Sequence, residues 1–183
     1  ALTRPKLNKA GNKLVIFNEE HYYESEPTPL DSSANGIVQS YQYSESDASW
    51  NYLGDKIESA SVNDISGGDI AINDEGNMIA IGYPQTNSAT GTTKVFKYDT
   101  SWNQIGSNID GSATGDHAGT SVVIDGSGDF VAIGSPFANI SNTNLESFTV
   151  TTVNGVEKGS SDGIVADTDV KLFHLQQTNA SFL

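Results

Sequence analysis

In "IDGSATGDHAG" (Ile109 to Gly119), Asp110 and Asp116 flank His117, the grouping from which an acid–base pair could be built. A carboxylate pair alone would suffice for glycoside hydrolysis, and with 23 Asp and Glu residues such pairs are plentiful. No nucleophile elbow, phosphate-binding glycine loop, zinc spacing or kinase set accompanies them. His117 sits in a Gly/Ser-rich connection, where the simpler reading is a segment that carries the chain from one strand to the next. His21 and His174 read as solvated or packing residues, so no catalytic group is assigned and the expectation is a protein that is not an enzyme.

Nine basic residues against those 23 acids leave a net charge of −14, which repels nucleic acid and anionic lipid headgroups. Neither is expected as a partner. No apolar run is long enough to span a membrane, so no membrane insertion is expected either. There is no cysteine, hence no disulfide and no thiol chemistry. An acidic surface rich in Asn, Ser, Thr and Gly suits an extracellular or particle-surface setting. The chain shows no leader of the secretory type, and it reads as an excerpt of a longer polypeptide or as a unit that further copies complete.

The elements that must hold these groups are written more than once. "MIAIGYP" (Met78 to Pro84) returns as "FVAIGSP" (Phe130 to Pro136), 52 positions on. At the same offset Trp50 pairs with Trp102, Gly54 with Gly106, Gly82 with Gly134 and Pro84 with Pro136. This is a tandem repeat. "NKAGNKLVIF" (Asn8 to Phe17) aligns with "NDEGNMIAIG" (Asn73 to Gly82), and "DVKLFHL" (Asp169 to Leu175) aligns with "TTKVFKY" (Thr92 to Tyr98), with Phe182 where a third Trp is due. About three copies result, over 1–61, 62–112 and 113–183, the last unfinished, and together they are expected to form part of one larger propeller.

Within a copy, short apolar runs alternate with Gly/Asn/Asp/Ser turns: "GDIAIN" (Gly68 to Asn73), "MIAIGYP", "TTKVFKY" and "WNQIGSNI" (Trp102 to Ile109). These predict four strands joined by hairpins and almost no helix. "MIAIG" is apolar on both faces and must be covered on both sides. Its Met78/Ala80/Gly82 face narrows, and Trp50 and Trp102 are the expected bulky neighbours. A four-stranded antiparallel sheet that needs a copy of itself on each face is a β-propeller blade, so the expected fold is all-β with tandem blades of this type.

"SWNQIGSNIDGSATGDHAGTSVVIDGSGDFVAIGSP" (Ser101 to Pro136) resembles the FG-GAP-type, integrin-α-like propeller repeat, with its W-x-x-L-G and V-A-I-G-x-P signatures as found in surface proteins of bacteria, algae and algal viruses. The resemblance implies an inner strand at "TSVVID" beside a central channel, "FVAIGSP" next, and the Trp strand outermost. It also implies a search for calcium in the loop between the two inner strands. Asp125 and Asp129, or Asp74 with Glu75, are the weak candidates there, but the D-x-D-x-D-G spacing is missing and the first copy carries Lys9. Plain Asx/Gly turns are the expectation, with no cofactor.

Two insertions stand out at one position of the repeat. "NEEHYYESEPTPLDSSANG" (Asn18 to Gly36) carries Tyr22 and Tyr23; Phe137 to Asp167 carries Phe148, Val150 and an Asn154-Gly155 turn signal, predicting an inserted hairpin within 137–167. Loops added to a repeat scaffold are where binding is placed, which makes these four residues the expected partner contacts. The expected partners are other protein chains or further copies of this one. The function that follows is a non-enzymatic structural or interaction module in a surface protein, filament or virion component. A carbohydrate-binding or glycan-processing propeller, with Tyr22, Tyr23 and Asp116 as its groups, and a calcium-dependent adhesion domain are the alternatives. Asn139-Ile140-Ser141 and Asn179-Ala180-Ser181 match the N-glycosylation pattern, which matters only in a secreted eukaryotic protein.

Overall fold

The computed structural model describes residues 3–18, 36–59 and 68–138, together with the backbone of strands at 151–153, 156–158 and 170–174. It is all-β and antiparallel, as the turn-punctuated apolar runs predict. The first sheet contains β1 (Thr3–Leu7), β2 (Lys13–Asn18), β3 (Ile37–Ser44), β4 (Ser49–Tyr52) and β5 (Ile57–Glu58), in the order β1-β2-β3-β4, with β5 also pairing β3. The second contains β6 (Ile70–Ile72), β7 (Met78–Tyr83), β8 (Thr92–Tyr98) and β9 (Trp102–Asp110), in that order. β10 (Ser121–Ile124) and β11 (Phe130–Gly134) begin the third sheet. A separate hairpin of β12 (Thr151–Val153) and β13 (Val156–Lys158) precedes its last described strand, β14 (Val170–His174). In that hairpin Val153 pairs with Val156, the register a two-residue connection requires; Asn154 and Gly155 themselves lie outside the described residues.

The outer strand breaks at one place in both complete sheets. Gly54 (φ +74) separates β4 from β5, and Gly106 (φ +67) lies in β9 where its register with β8 shifts. A left-handed residue interrupts the pleat, and glycine takes that conformation without the strain a Cβ would bring.

The three sheets stack in series with an apolar layer between each pair. Val15, Phe17 and Val38 of the first sheet meet Ile70, Ile79, Ile81 and Tyr83 of the second. On the other side of the second sheet, Ala71, Met78, Ala80, Val95 and Ile109 meet Val122, Val131 and Ile133 of the third. Alternate residues of a strand face opposite ways, so β7 belongs to both layers and all six of its residues are buried. The doubly apolar pattern of "MIAIG" has this cause.

One expectation about that strand is corrected. The narrow face ending at Gly82 receives no tryptophan; the backbone of Gly119 crosses it, and a Cβ on Gly82 would overlap Gly119 O. Trp102 packs in the other layer, with Ile79 and Ile81, and reaches the first sheet. Trp50 is 41% exposed and stacks edge-on to Tyr43. Alternation shows that both faces are covered, but not which side the indole comes from.

The first strands of the sheets, β1, β6 and β10, lie side by side. Asp69 ties them together: its Oδ1 pairs with Lys6 Nζ at 3.2 Å and its Oδ2 accepts from the backbone N–H of Val122 at 3.4 Å. Arg4 also donates across this line, to the carbonyl of Gly68.

Candidate functional site

The loops between the first and second strands hold the residues considered for calcium. In the first loop Asn8 Oδ1 accepts from the N–H groups of Asn12 (3.1 Å) and Lys13 (2.9 Å). Asn73 Oδ1 does the same for Asn77 and Met78, both at 3.0 Å. In the third loop Asp125 takes the role, with Oδ1 accepting from Phe130 N (2.7 Å) and Oδ2 from Ser127. Each loop turns on a left-handed glycine: Gly11, Gly76 and Gly128. The conserved geometry is therefore an Asx-closed hairpin in which the side-chain oxygens are spent on the backbone.

Burial pushes the Asp125 carboxyl up, but hydrogen bonds from Ser127 and from the N–H groups of Phe130, Ser127 and Asp129 outweigh it and hold the group below its ordinary value. The three loops also brace one another. Lys9 Nζ lies 2.7 Å from Asp74 Oδ2, which raises the Lys9 pKa through the hydrogen bond and then the charge; Lys13 Nζ donates to Glu75 O, and Asp74 N donates to Gly126 O. Among the described residues no group of three or more acidic or histidine side chains could hold a metal. Asp74 is committed to Lys9, and Asp125 to its own turn; Asp129 lies in the same turn as Asp125.

Asp110, Asp116 and His117 are adjacent in sequence yet do not act together. Asp110 Oδ1 accepts from Thr92 Oγ1 at 2.7 Å. Asp116 is 4% exposed, and its Oδ2 closes the loop by accepting from the N–H groups of Ser112 (3.0 Å) and Ala113 (2.7 Å). His117 has a left-handed backbone (φ +54), its Nδ1 is 3.4 Å from Gln85 Nε2 and its ring meets Phe137 edge-on at 5.0 Å. Among the described residues no hydrogen bond joins either aspartate to His117.

The segment around His117 docks on the connection between β7 and β8. His117 N donates to Ala89 O, Ala118 N to Thr90 O and Gly111 N to Gly91 O. That connection contains a four-residue helical turn, Thr86–Ala89, whose Asn87, Ser88 and Ala89 all have positive φ. Left-handed backbone costs about 1–2 kcal/mol for each such residue, and the three cross-bonds hold the turn in place. The corresponding connections of the first and third sheets are the two insertions. Tyr22, Tyr23, Phe148 and Val150, the expected partner contacts, lie outside the described residues, as do His21 and both glycosylation tripeptides; of His174 only the backbone is described.

The sequence reading did not single out an aromatic surface on the first sheet. Cross-strand register places Leu7, Leu14, Tyr41 and Tyr52 in one row and Tyr43 beside Trp50 in the next. Tyr41 and Tyr52 have ring centroids 5.2 Å apart, Tyr43 and Trp50 5.4 Å. This is the face turned away from the second sheet, since Val38 and Ser40, which alternate with Tyr41, point the other way. The available signal was the period of two in "SYQYS" and "SWNY".

The chain matches no family model and no curated protein.

Proposed function

We propose that this chain is a run of three propeller-type blades of FG-GAP-like character, serving as a non-enzymatic structural and interaction module in an extracellular surface protein, filament or virion component. The observation that carries the reading is the serial stack of antiparallel sheets, with first strands side by side and equivalent repeat residues in equivalent layers. A scaffold of this kind presents loops rigidly without any reacting group. The Asp116 and Asp125 carboxylates are spent on closing their own loops, Asp110 accepts from Thr92, and His117 stands against Gln85 and Phe137 instead of a carboxylate, which supports a binding rather than a catalytic role. Partner contacts fall on the two insertions, 18–36 and 137–167, which leave the scaffold from one repeat position. The glycan-binding alternative is weakened at Asp116, whose buried carboxylate is turned onto its own loop.

The test is electron cryomicroscopy of the natural protein in its assembled state. Contacts to neighbouring chains made by 18–36 and 137–167 would support the reading. An assembly in which both insertions can be deleted without loss of any contact would overturn it.

A further inference from the structure

Two hydroxyls in the middle of the stack are buried without a hydrogen bond. Thr93 is 0% exposed and Ser135 1%, and among the described residues neither Thr93 Oγ1 nor Ser135 Oγ has a partner. Buried polar groups in native proteins are nearly always paired, because a dry hydroxyl costs its lost hydration.

The repeat puts these two hydroxyls at one place. In the layer between the first and second sheets, Phe17, Val38 and Tyr83 belong to a single apolar cluster. Phe17 pairs with Val38 across β2 and β3, as Gly82 pairs with Thr93 across β7 and β8. With the Asn8 and Asn73 loops aligned, Phe17 corresponds to Gly82 and hence Val38 to Thr93, while Tyr83 corresponds to Ser135 at the offset of 52. The layer between the second and third sheets therefore has Gly82, Thr93 and Ser135 where the layer before it has Phe17, Val38 and Tyr83. Alternation agrees with this placement. Thr93 pairs with Ile109, which packs toward the third sheet, and Ser135 follows by two residues Ile133, which packs toward the second.

Backbone takes up part of the room that the smaller residues leave. Gly119 O sits where a Cβ on Gly82 would be, opposite Thr93, and Gly119 N donates to the carbonyl of Gly134, the residue before Ser135. One segment thus touches the neighbours of both hydroxyls and brings a carbonyl oxygen to the same spot.

We infer that Thr93 Oγ1, Ser135 Oγ and Gly119 O bind one internal water molecule between the second and third sheets. A buried water makes about three hydrogen bonds. Here it accepts from one hydroxyl, donates to the other and donates its second hydrogen to the carbonyl, and either hydroxyl can take either role. Phe17 and Tyr83 fill the equivalent place in the first layer, so the site belongs to one junction and not to the repeat. The inference concerns the scaffold and is independent of whether the insertions meet a partner.

The experiment begins with a crystal structure of the natural sequence at about 1.5 Å, which shows ordered water though not hydrogens. A water oxygen about 2.8 Å from both hydroxyl oxygens is expected. A direct bond between the two hydroxyls, a protein partner for each, or no density between them overturns the inference. Oxygen-17 relaxation dispersion, which counts long-lived internal waters in solution, should find one fewer in the Thr93→Val/Ser135→Ala double variant than in the natural sequence. Urea unfolding completes the test. Each single substitution should lower the folding equilibrium constant about fivefold, and the double variant should fall no more than about twofold below the worse single one, because the two hydroxyls share one water. Losses that multiply fully would mean that the hydroxyls act separately, and non-additive losses with an unchanged count of internal waters would mean that they meet directly; both overturn it. Thr93→Ser keeps the hydroxyl and should keep the water. The crystal structure needs no variant, so the inference stays open to refutation even if a substitution prevents folding.

Discussion

Trp102 and Ser40 are joined by a 2.7 Å hydrogen bond from the indole Nε1 to the serine Oγ, across 62 residues of chain. The same Nε1 is 3.0 Å from Leu53 O, and Ser40 Oγ donates to that carbonyl at 2.6 Å, so three groups from two sheets satisfy one another. Trp102→Phe keeps most of the apolar area and removes the donor. Its expected cost is about 1–2 kcal/mol, read as a lower urea midpoint with unchanged slope. Trp50→Phe, whose Nε1 lacks a partner among the described residues, should leave the monomer's midpoint within about 0.5 kcal/mol.

Gly82→Ala tests the close approach of β7 to Gly119. The added methyl would overlap a backbone oxygen rather than a mobile side chain, so the third sheet must shift. A loss of about 3 kcal/mol or more is expected in thermal or urea unfolding. Gly11→Ala is the control: it has nothing within 4 Å but a φ of +70, so only backbone strain of about 1 kcal/mol is expected.

Asn73→Ala removes the acceptor for two N–H groups at a buried position. About 2 kcal/mol of stability should be lost. Asn73→Asp restores the acceptor in the form the third loop already uses at Asp125 but loses the Nδ2 donor to Asn77 Oδ1, so it should recover part of that loss at neutral pH. Equal damage from both substitutions would assign the loss to the Asn73 Nδ2 donor and its Asn77 partner instead of to the Asx acceptor.

The Asp125 carboxyl is held below its ordinary value of 3.8 in the folded chain. A carboxylate with a lowered folded pKa contributes stability above the unfolded value, and that contribution is lost as pH falls from there through the folded value. Urea unfolding from pH 6 downward should therefore show a loss beginning near pH 4 that Asp125→Asn flattens. An unchanged pH profile in the variant would assign the loss to other carboxylates.

Calcium should do nothing measurable. The loop oxygens that would ligate it already accept from Asn12, Lys13, Asn77, Met78, Ser127 and Phe130 N–H groups, and Lys9 occupies Asp74. Millimolar calcium is expected to give no calorimetric heat and no change in melting temperature, and removal by chelator no loss of stability. A rise in melting temperature with calcium would revive the adhesion alternative.

The period of 52 made the strands and the doubly covered β7 legible, because those depend on local alternation and turn chemistry, whereas the order of the strands came only from the resemblance to a propeller repeat. The Asx role of Asn73 and Asp125 was legible for the same reason. The seat of Trp102 was not, since it depends on which neighbour supplies Ser40, Leu53 and Gly54, all outside its own repeat. Asp69 was invisible for a related reason: its counterpart in the next copy is Ser121, so no repeated signal marks a carboxylate that ties three strands together. The aromatic rows of the first sheet depend on cross-strand register, which pairs Tyr41 with Tyr52 only after the β3–β4 turn is fixed.

The connection after the second strand of each sheet runs from Tyr83 to Thr92 in one case, from Asn18 to Ile37 in another and from Gly134 to Val170 in the third, while the flanking strands pair antiparallel every time. Chain length at this seam is thus decoupled from the frame on either side. A lineage can lengthen these segments while the flanking strands keep their pairing, and a foreign peptide grafted into the short one, between Tyr83 and Thr92, has to spare the Ala89, Thr90 and Gly91 carbonyls that accept from His117, Ala118 and Gly111.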